Sequence, residues 1–395
     1  MIYFTIIEVG ISMFRGVVLI SAFMISGCLA PATNSARTPS ATPSTPVPSV
    51  SPTPSPTPTP TPSVSPTPTP SATVSAAHVF FSGHSLINLN TPTVFAQFAQ
   101  SQSLSVNYQL QMGLGSSIKV RLQCPWNGQQ KDGHSIQYRV QDELRRSNVY
   151  DTLVLAENHN IVENILYNSS TSMTRIMYDF FTTGNFNGQA YLYENWMYID
   201  NPGIDEFLAR IDRERAAWNC VASYVNTTRG FRRPIKLMPG STAIAALIRE
   251  IRAGTVPGIS VPGAIFTDNV HLNAIGNYYI SLLYYGVIYQ RSPVGLPHTG
   301  LTVLQDSPPV LSNATAARLQ QIAWEQAQIA INDTTSHFRT HAQCQTDMDA
   351  LCTQTYGNTW ACNAANTGRL SAAVTQLNNP VDPENGAWCL TGPAP

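Results

Sequence analysis

The stretch "HVFFSGHSLINLN", residues 78–90, places a short apolar run immediately before a tight turn. The run His78–Ser82 lacks a regular alternation of polar and apolar residues, which is typical of a parallel strand covered on both faces. Ser85 lies where the chain turns. A serine at the end of such a strand is either a nucleophile or an ordinary polar turn residue. The choice depends on the partners that the rest of the chain supplies.

Four further apolar runs have the character of short strands: Leu104–Leu110, Thr152–Ala156, Gln189–Tyr193 and Pro234–Met238. Helical periods cover Ile204–Asn226, Ser241–Ala253 and Leu272–Gln290. This alternation predicts an α/β fold, a three-layer α/β/α sandwich around a central parallel sheet of about five strands. Ligands of such sheets bind beyond the carboxyl ends of the strands. The residues that follow the strands are therefore the first candidates for a site.

The amino-terminal region predicts export. Arg15 precedes the apolar run Val17–Met24, and small residues follow in "ISGC", which ends at Cys28. This is the pattern of a secretory signal, and "ISGC" resembles a bacterial lipobox, so residues 1–28 are interpreted as a lipoprotein signal peptide with Cys28 as the lipid attachment point. The alternative is an uncleaved transmembrane helix, for which the run is short. Met13 is a second candidate start.

Residues 29–76 form a predicted disordered linker, because Pro, Thr, Ser and Ala dominate it and cannot bury enough apolar area to fold. Residues 77–295 are the predicted catalytic domain. Residues 296–395 are a predicted carboxyl-terminal extension with an amphipathic helix over Asn313–Asn332 and a tail that contains cysteines. The membrane, through a lipid on Cys28, is an expected partner. The formal net charge is −1, so the chain lacks the excess of basic residues that is typical of a nucleic-acid-binding protein.

Cysteine usage agrees with export. Cys28 aside, six cysteines remain: Cys124, Cys220, Cys344, Cys352, Cys362 and Cys389. An even number in an exported chain predicts up to three disulfides, with the pairing left open. His337, His341 and Cys344 have a spacing that a metal site could use, but a disulfide is the simpler interpretation of Cys344.

The chain lacks Gly-x-Ser-x-Gly, His-Glu-x-x-His and a phosphate-binding loop. It contains "IFTDNVHLNAIGNYYISLLYYG", residues 265–286, in which Asp268 precedes His271 by three positions. An acid at this spacing can orient one imidazole nitrogen and leave the other as a base. The alternative is a helix-capping Asp beside a surface His.

Four segments together resemble the blocks of the SGNH (GDSL-like) hydrolase superfamily, in the family's order and over about residues 77–295. They are "SGHSL" (82–86), "QMGLGSSI" (111–118), "LVLAENHN" (153–160) and "DNVHL" (268–272). The chain departs from the family pattern at His84, which replaces an Asp, and at Ala156 and His159, which replace a Gly and an Asp.

The resemblance implies a nucleophile at Ser85, a base at His271 and an orienting acid at Asp268. It implies an oxyanion hole made by the N–H of Ser85, the N–H of Gly115 and the side-chain amide of Asn158. Gly113 and Asn160 are the alternatives for the last two. Such a mechanism requires neither a metal nor an organic cofactor.

The expected protein is a monomeric, cell-envelope lipoprotein of a bacterium, on the outer membrane or cell surface. It would hydrolyse esters, with O-acetyl groups on polysaccharide as the preferred substrate. The alternatives are a hydrolase of lipids or small esters, similar to lipases and thioesterases, and a surface protein that uses the same fold only for binding. Near the site, His84 and His159 are expected to flank the serine. Trp196 is expected either to stack on substrate or to be a half-buried core residue.

Overall fold

The computed structural model describes residues 74–124, 128–167, 170–200, 203–228, 233–304 and 307–356. The predicted signal peptide with Cys28, the linker up to residue 73, and Cys362 and Cys389 lie outside these residues. In the part described, no helix combines the length and the apolar character needed to cross a bilayer.

Five parallel strands form one sheet in the order β2-β1-β3-β4-β5. They are β1 (Ala76–Gly83), β2 (Ser105–Met112), β3 (Thr152–Ala156), β4 (Gln189–Tyr193) and β5 (Lys236–Met238). All four neighbouring pairs are parallel. Since β1 and β3 are adjacent, the residues after these two strands meet at one edge of the sheet, where ligands of parallel sheets bind.

The helices are α1 (Asn90–Ser101), α2 (Ile118–Gln123), α3 (Val140–Leu144), α4 (Ile161–Tyr167), α5 (Ser170–Gly184), α6 (Ile204–Thr228), α7 (Gly240–Arg252), α8 (Ala274–Tyr289), α9 (Asn313–Asn332) and α10 (His341–Leu351). A 3₁₀ turn covers Pro262–Ile265, and a π-helical turn covers Cys352–Tyr356.

Two hydrophobic cores lie on opposite faces of the sheet. Val79 and Phe81 of β1 point into a core shared with α1, α7, α8 and α9. Phe80, between them, points into a core shared with α2, α3, α4, α5 and α10. Because both faces are covered, nearly all side chains of the inner strands β3 and β4 are buried, which is why these strands appear in the sequence as continuous apolar runs. The predicted three-layer α/β/α sandwich with a five-stranded parallel sheet is confirmed.

The predicted boundaries of several elements differ by one or two residues from the structure, and two of these differences have a local cause. The predicted strand Pro234–Met238 begins only at Lys236, because Pro234 has no N–H to donate and Ile235 bonds the side chain of Asn226 instead of the sheet. The predicted helix start at Leu272 is too early. Asn273 caps α8 by accepting from the N–H groups of Ile275 and Gly276, which excludes the preceding residues from the helix.

The described part of the extension packs on the sandwich. A side chain at Gly286 of α8 would meet Ala327 of α9 at 2.7 Å, so these two helices cross in close contact. Cys220 of α6 and Cys344 of α10 form a disulfide, and Cys124 and Cys352 are also disulfide-bonded. Leu319, Ile322 and Ala323 of α9 are buried, whereas the side chain of Ile329 is half exposed.

Candidate active site

The turn after β1 presents Ser85 at the carboxyl edge of the sheet. The carbonyl of His84 accepts hydrogen bonds from the N–H groups of Ile87 and Asn88, which closes the turn. The side chain of Asn88 then caps α1 and donates to Asn277 Oδ1 of α8 at 2.7 Å. This bond ties the serine turn to the helix that follows His271.

Ser85, His271 and Asp268 form a continuous hydrogen-bonded chain. Ser85 Oγ lies 2.9 Å from His271 Nε2, although the two residues are 186 positions apart. His271 Nδ1 lies 2.7 Å from Asp268 Oδ2. When Nδ1–H donates to the carboxylate, Nε2 is left to accept the serine proton, which is the arrangement that general-base activation of a hydroxyl requires.

Asp268 is held as a carboxylate. Partial burial raises its pKa, but the N–H groups of His271 and Val270 and the imidazole of His271 all donate to it, and their combined effect lowers the pKa to about 2. The two N–H groups bond Oδ1 at 2.7 and 2.8 Å, so the second oxygen stays available for the imidazole. An ionised Asp268 stabilises the imidazolium that forms when His271 takes up a proton.

The loop that carries Asp268 and His271 is anchored from β4. Trp196 donates its indole N–H to the carbonyl of Val270 at 2.8 Å, and the N–H of Ile199 donates to the carbonyl of Asn269 at 2.8 Å. Trp196 is fully buried. Stacking of Trp196 on substrate is therefore excluded. Trp196 is a core residue, as the other expectation had it, but it is fully buried and not half-buried.

Two N–H groups at the edge of the sheet are available to a ligand. In the described part of the chain, the N–H groups of Ser85 and Gly115 have no hydrogen-bond partner. The N–H of Gly113 donates to the carbonyl of Gly83 at 3.0 Å, so it is occupied by the fold. Between the two candidate glycines, the geometry favours Gly115. Its φ of +61° belongs to the left-handed region, which glycine adopts most readily.

Asn158 lies beside Gly115. Its Oδ1 accepts from the N–H of His159 at 2.7 Å, which orients the amide, and its Nδ2 donates to the carbonyl of Gly115 at 3.0 Å. Among the described residues Nδ2 has no second acceptor, so its other hydrogen is available to an oxyanion. Asn160, the alternative, is buried and caps α4 by accepting from the N–H of Glu163. The geometry therefore favours Asn158.

Two depressions meet at Ser85 and His271. One, of about 340 Å³, is lined by residues that include Gly115, His159, Tyr198 and Val270. The other, of about 260 Å³, is lined by Asn88, Met112, Thr267, Asp268, Leu272 and Asn277 among others. Leu114 borders both and is largely exposed. The nucleophile thus has room on two sides, as an ester with an acyl part and an alcohol part requires.

Both histidines expected near the site lie there. His159 packs edge to face on Tyr198, with ring centroids 5.4 Å apart. His84 is buried behind Ser85, and its Nε2 lies 2.9 Å from the carbonyl oxygen of Glu157. Burial, assisted by the positive charge of Arg121, lowers the pKa of His84 to about 3, so its ring is neutral near pH 7.

Sequence patterns missed Arg121 and Glu157, two buried charged residues directly behind the site. The sequence did contain a signal for Glu157. A carboxylate directly after the apolar strand "LVLA" is expected to be buried, and a buried carboxylate needs hydrogen-bond donors inside the protein. Nothing in "SSIKVRLQ", residues 116–123, distinguishes Arg121 from a surface cation.

The spacing of His337, His341 and Cys344 does not produce a metal site. The sulfur of Cys344 is bonded to Cys220, and the described residues contain no group of three potential metal ligands. Cys344 therefore forms a disulfide, as the simpler interpretation predicted.

No family model matches the chain, and no curated protein matches it. Among solved structures, a DUF4886 family protein from Bacteroides uniformis ATCC 8492 is similar, with 13% sequence identity and a TM-score of 0.45. The likeness covers 66% of this chain and 97% of that chain. At this TM-score it carries no argument about function, which has to come from the site.

Proposed function

We propose that the protein is a serine esterase of the SGNH type that acts outside the cytoplasm through an acyl-serine intermediate. One observation carries the proposal: the unbroken chain from Ser85 Oγ to His271 Nε2 at 2.9 Å and from His271 Nδ1 to Asp268 at 2.7 Å. The free N–H groups of Ser85 and Gly115, with the amide of Asn158 beside them, supply the matching oxyanion hole.

The first half of the reaction forms the acyl-enzyme. Ser85 Oγ attacks the ester carbonyl carbon while its proton passes to His271 Nε2, and the carbonyl oxygen becomes an oxyanion in the hole. Collapse of this intermediate breaks the bond to the alcohol oxygen, which takes the proton from the imidazolium and leaves. Asp268 lowers the energy of the imidazolium throughout.

The second half repeats these steps with water. A water molecule gives a proton to His271 and attacks the acyl carbon, and the second tetrahedral intermediate collapses to release the carboxylic acid. Ser85 recovers its proton from His271. Atoms and charge balance without a redox partner.

The preferred substrate is an O-acetyl group on a polysaccharide. The depressions beside Ser85 are lined by more apolar than polar surface, but they include Asn88, Asn277 and His159, whose side chains can hydrogen-bond the hydroxyl groups of a sugar. Tyr198 presents a partly exposed ring at the same cavity. The Cys220–Cys344 disulfide supports an oxidising compartment. The lipid anchor at Cys28 stays a prediction.

Labelling with a fluorophosphonate probe and hydrolysis of 4-nitrophenyl acetate test the esterase proposal, with Ser85→Ala as the control. The wild type is expected to react in both assays, and the control in neither. A wild type no more reactive than Ser85→Ala would support the alternative of a non-catalytic binding protein. Acetate release from acetylated xylan, compared with turnover of 4-nitrophenyl octanoate, separates polysaccharide from lipid esters.

A further inference from the structure

Two charged side chains lie buried directly behind the oxyanion donors. Arg121 of α2 and Glu157, which follows β3, are both fully enclosed. Burying a charge is costly unless several hydrogen bonds compensate for it. Such a cost points to a purpose beyond packing, and the partners of the two groups indicate what it is.

Arg121 binds three separate segments. Its Nε donates to Ser82 Oγ at the end of β1 at 3.0 Å. One terminal nitrogen donates to the carbonyl of Ser116 at 2.7 Å and to its hydroxyl at 3.0 Å. The other donates to the carbonyl of Ala156 at the end of β3. The guanidinium thus fixes the residue after Gly115 relative to the strands that precede Ser85 and Asn158.

Glu157 binds the same region from the other side. Its Oε1 accepts from the N–H of Ile118, at the start of α2, at 2.9 Å and from the N–H of Asn158 at 2.8 Å. Its Oε2 accepts from Ser170 Oγ at 2.6 Å. The two N–H groups can only donate and therefore need an acceptor at Oε1, whereas the hydroxyl of Ser170 can donate or accept. Glu157 therefore locks the backbone of Asn158 to the helix that follows Gly115.

We propose that Arg121 and Glu157 are positioning residues that hold Gly115 and Asn158 in register with Ser85 and so preorganise the oxyanion hole. This inference rests on the proposed esterase function. Neither residue touches the reacting atoms; each acts through the backbone that carries a donor. Preorganisation matters because donors that have to move into place during the reaction lose much of their effect on the transition state.

Glu157→Gln is the test variant, because it keeps the shape and replaces the carboxylate that accepts from the N–H groups of Ile118 and Asn158 with a weaker, neutral amide acceptor. We expect kcat/KM for 4-nitrophenyl acetate to fall about 10–100-fold. We also expect the inhibition constant of phenylboronic acid, whose tetrahedral adduct places an oxygen in the hole, to rise by a similar factor. Glu194→Gln is the matched control. Glu194 is an equally buried carboxylate after β4, bound by Thr242 Oγ1 at 2.8 Å, and this variant is expected to stay within about 3-fold of the wild type in both assays.

A double-mutant cycle with Asn158→Ala distinguishes positioning from general loss of stability. If Glu157 acts through the hole, Glu157→Gln costs less activity in the Asn158→Ala background than in the wild type, because one of the two donors that it positions is already absent. Fully additive losses would overturn the proposal. If Glu157→Gln does not fold, Ser170→Ala takes its place in the same double-mutant cycle, because Ser170→Ala removes one of the three hydrogen bonds to Glu157.

Suppose that the wild type hydrolyses the ester and that folded Glu157→Gln and Ser170→Ala have the same kcat/KM and boronate affinity. This result would contradict the positioning role and leave the esterase proposal standing. An inactive wild type would overturn both.

Discussion

The two halves of the candidate site are built in opposite ways. The acid–base half is local and exposed: Asp268 and His271 lie three positions apart, and their side chains are 50% and 44% exposed. The oxyanion half is assembled from distant segments over the buried Arg121 and Glu157. The comparison teaches that the acid–base pair is aligned within one short loop, which Trp196 anchors from the interior, whereas the N–H donors are aligned by buried side chains that join separate segments. The predictions below test this division.

Asp268→Asn should have the largest effect. The amide offers an N–H where His271 Nδ1 needs an acceptor, so the wrong tautomer is favoured and Nε2 can no longer take the serine proton. We expect kcat/KM for 4-nitrophenyl acetate to fall by about 10³–10⁴-fold. Because the loop is local, the urea midpoint of unfolding should change little. A loss below 10-fold would show that Asp268 does not orient the base.

Asn158→Ala should have the next largest effect. It removes one donor to the oxyanion and its bond to the carbonyl of Gly115. We expect a fall in kcat/KM of about 10²-fold. Asn160→Ala is the comparison, since Asn160 caps α4, and it should reduce stability by about 1 kcal/mol with activity nearly retained. The reverse result would assign the hole to Asn160.

Trp196→Phe should have a moderate effect on both activity and stability, because Trp196 connects the loop of Asp268 and His271 to the core. The substitution keeps most of the buried ring but deletes the hydrogen bond to the carbonyl of Val270. We expect a loss of about 1–2 kcal/mol in the free energy of unfolding, and about 10-fold in kcat/KM because the catalytic loop is less well anchored. Urea denaturation and steady-state kinetics measure the two effects. Unchanged kinetics would show that the loop holds itself.

The last prediction concerns the stability of the folded protein in acid, which depends on the buried His84. Its folded-state pKa of about 3 lies below the ordinary value of 6.5, so between these values the unfolded chain binds a proton that the folded protein does not. Stability should therefore fall as the pH drops through this window, by about 2 kcal/mol between pH 7.5 and pH 5 from this residue. His84→Gln cannot take up that proton, and its unfolding free energy should decline less over the same range. Equal declines would contradict the assignment.

The parts that the sequence predicts well are those whose cause is local. Thr152–Ala156 and Gln189–Tyr193 have the predicted bounds, because an apolar run limited by polar turn residues marks a doubly covered strand. Asn313–Asn332 also has its predicted bounds, since Ser312 caps it. The Asp268–His271 pair was predictable because three positions of one turn bring the two side chains together.

The parts that the sequence did not predict depend on contacts between distant segments. Nothing near Trp196 indicates that its N–H meets Val270, 74 positions away. The choice of Gly115 over Gly113 depends on which N–H the carbonyl of Gly83 accepts. Arg121 meets its partners only after three strands are aligned. Such contacts follow from the completed topology and have no signature in a short window of sequence.

The Cys220–Cys344 bond divides the candidate site along the chain. It closes a covalent ring across 124 positions, and Asp268 and His271 lie inside this ring, whereas Ser85 and Asn158 lie outside it. A single proteolytic cut between α7 and Asp268 would leave both fragments covalently joined, with His271 still tethered to the fragment that carries Ser85. Separating the two halves of the site then requires reduction as well as cleavage.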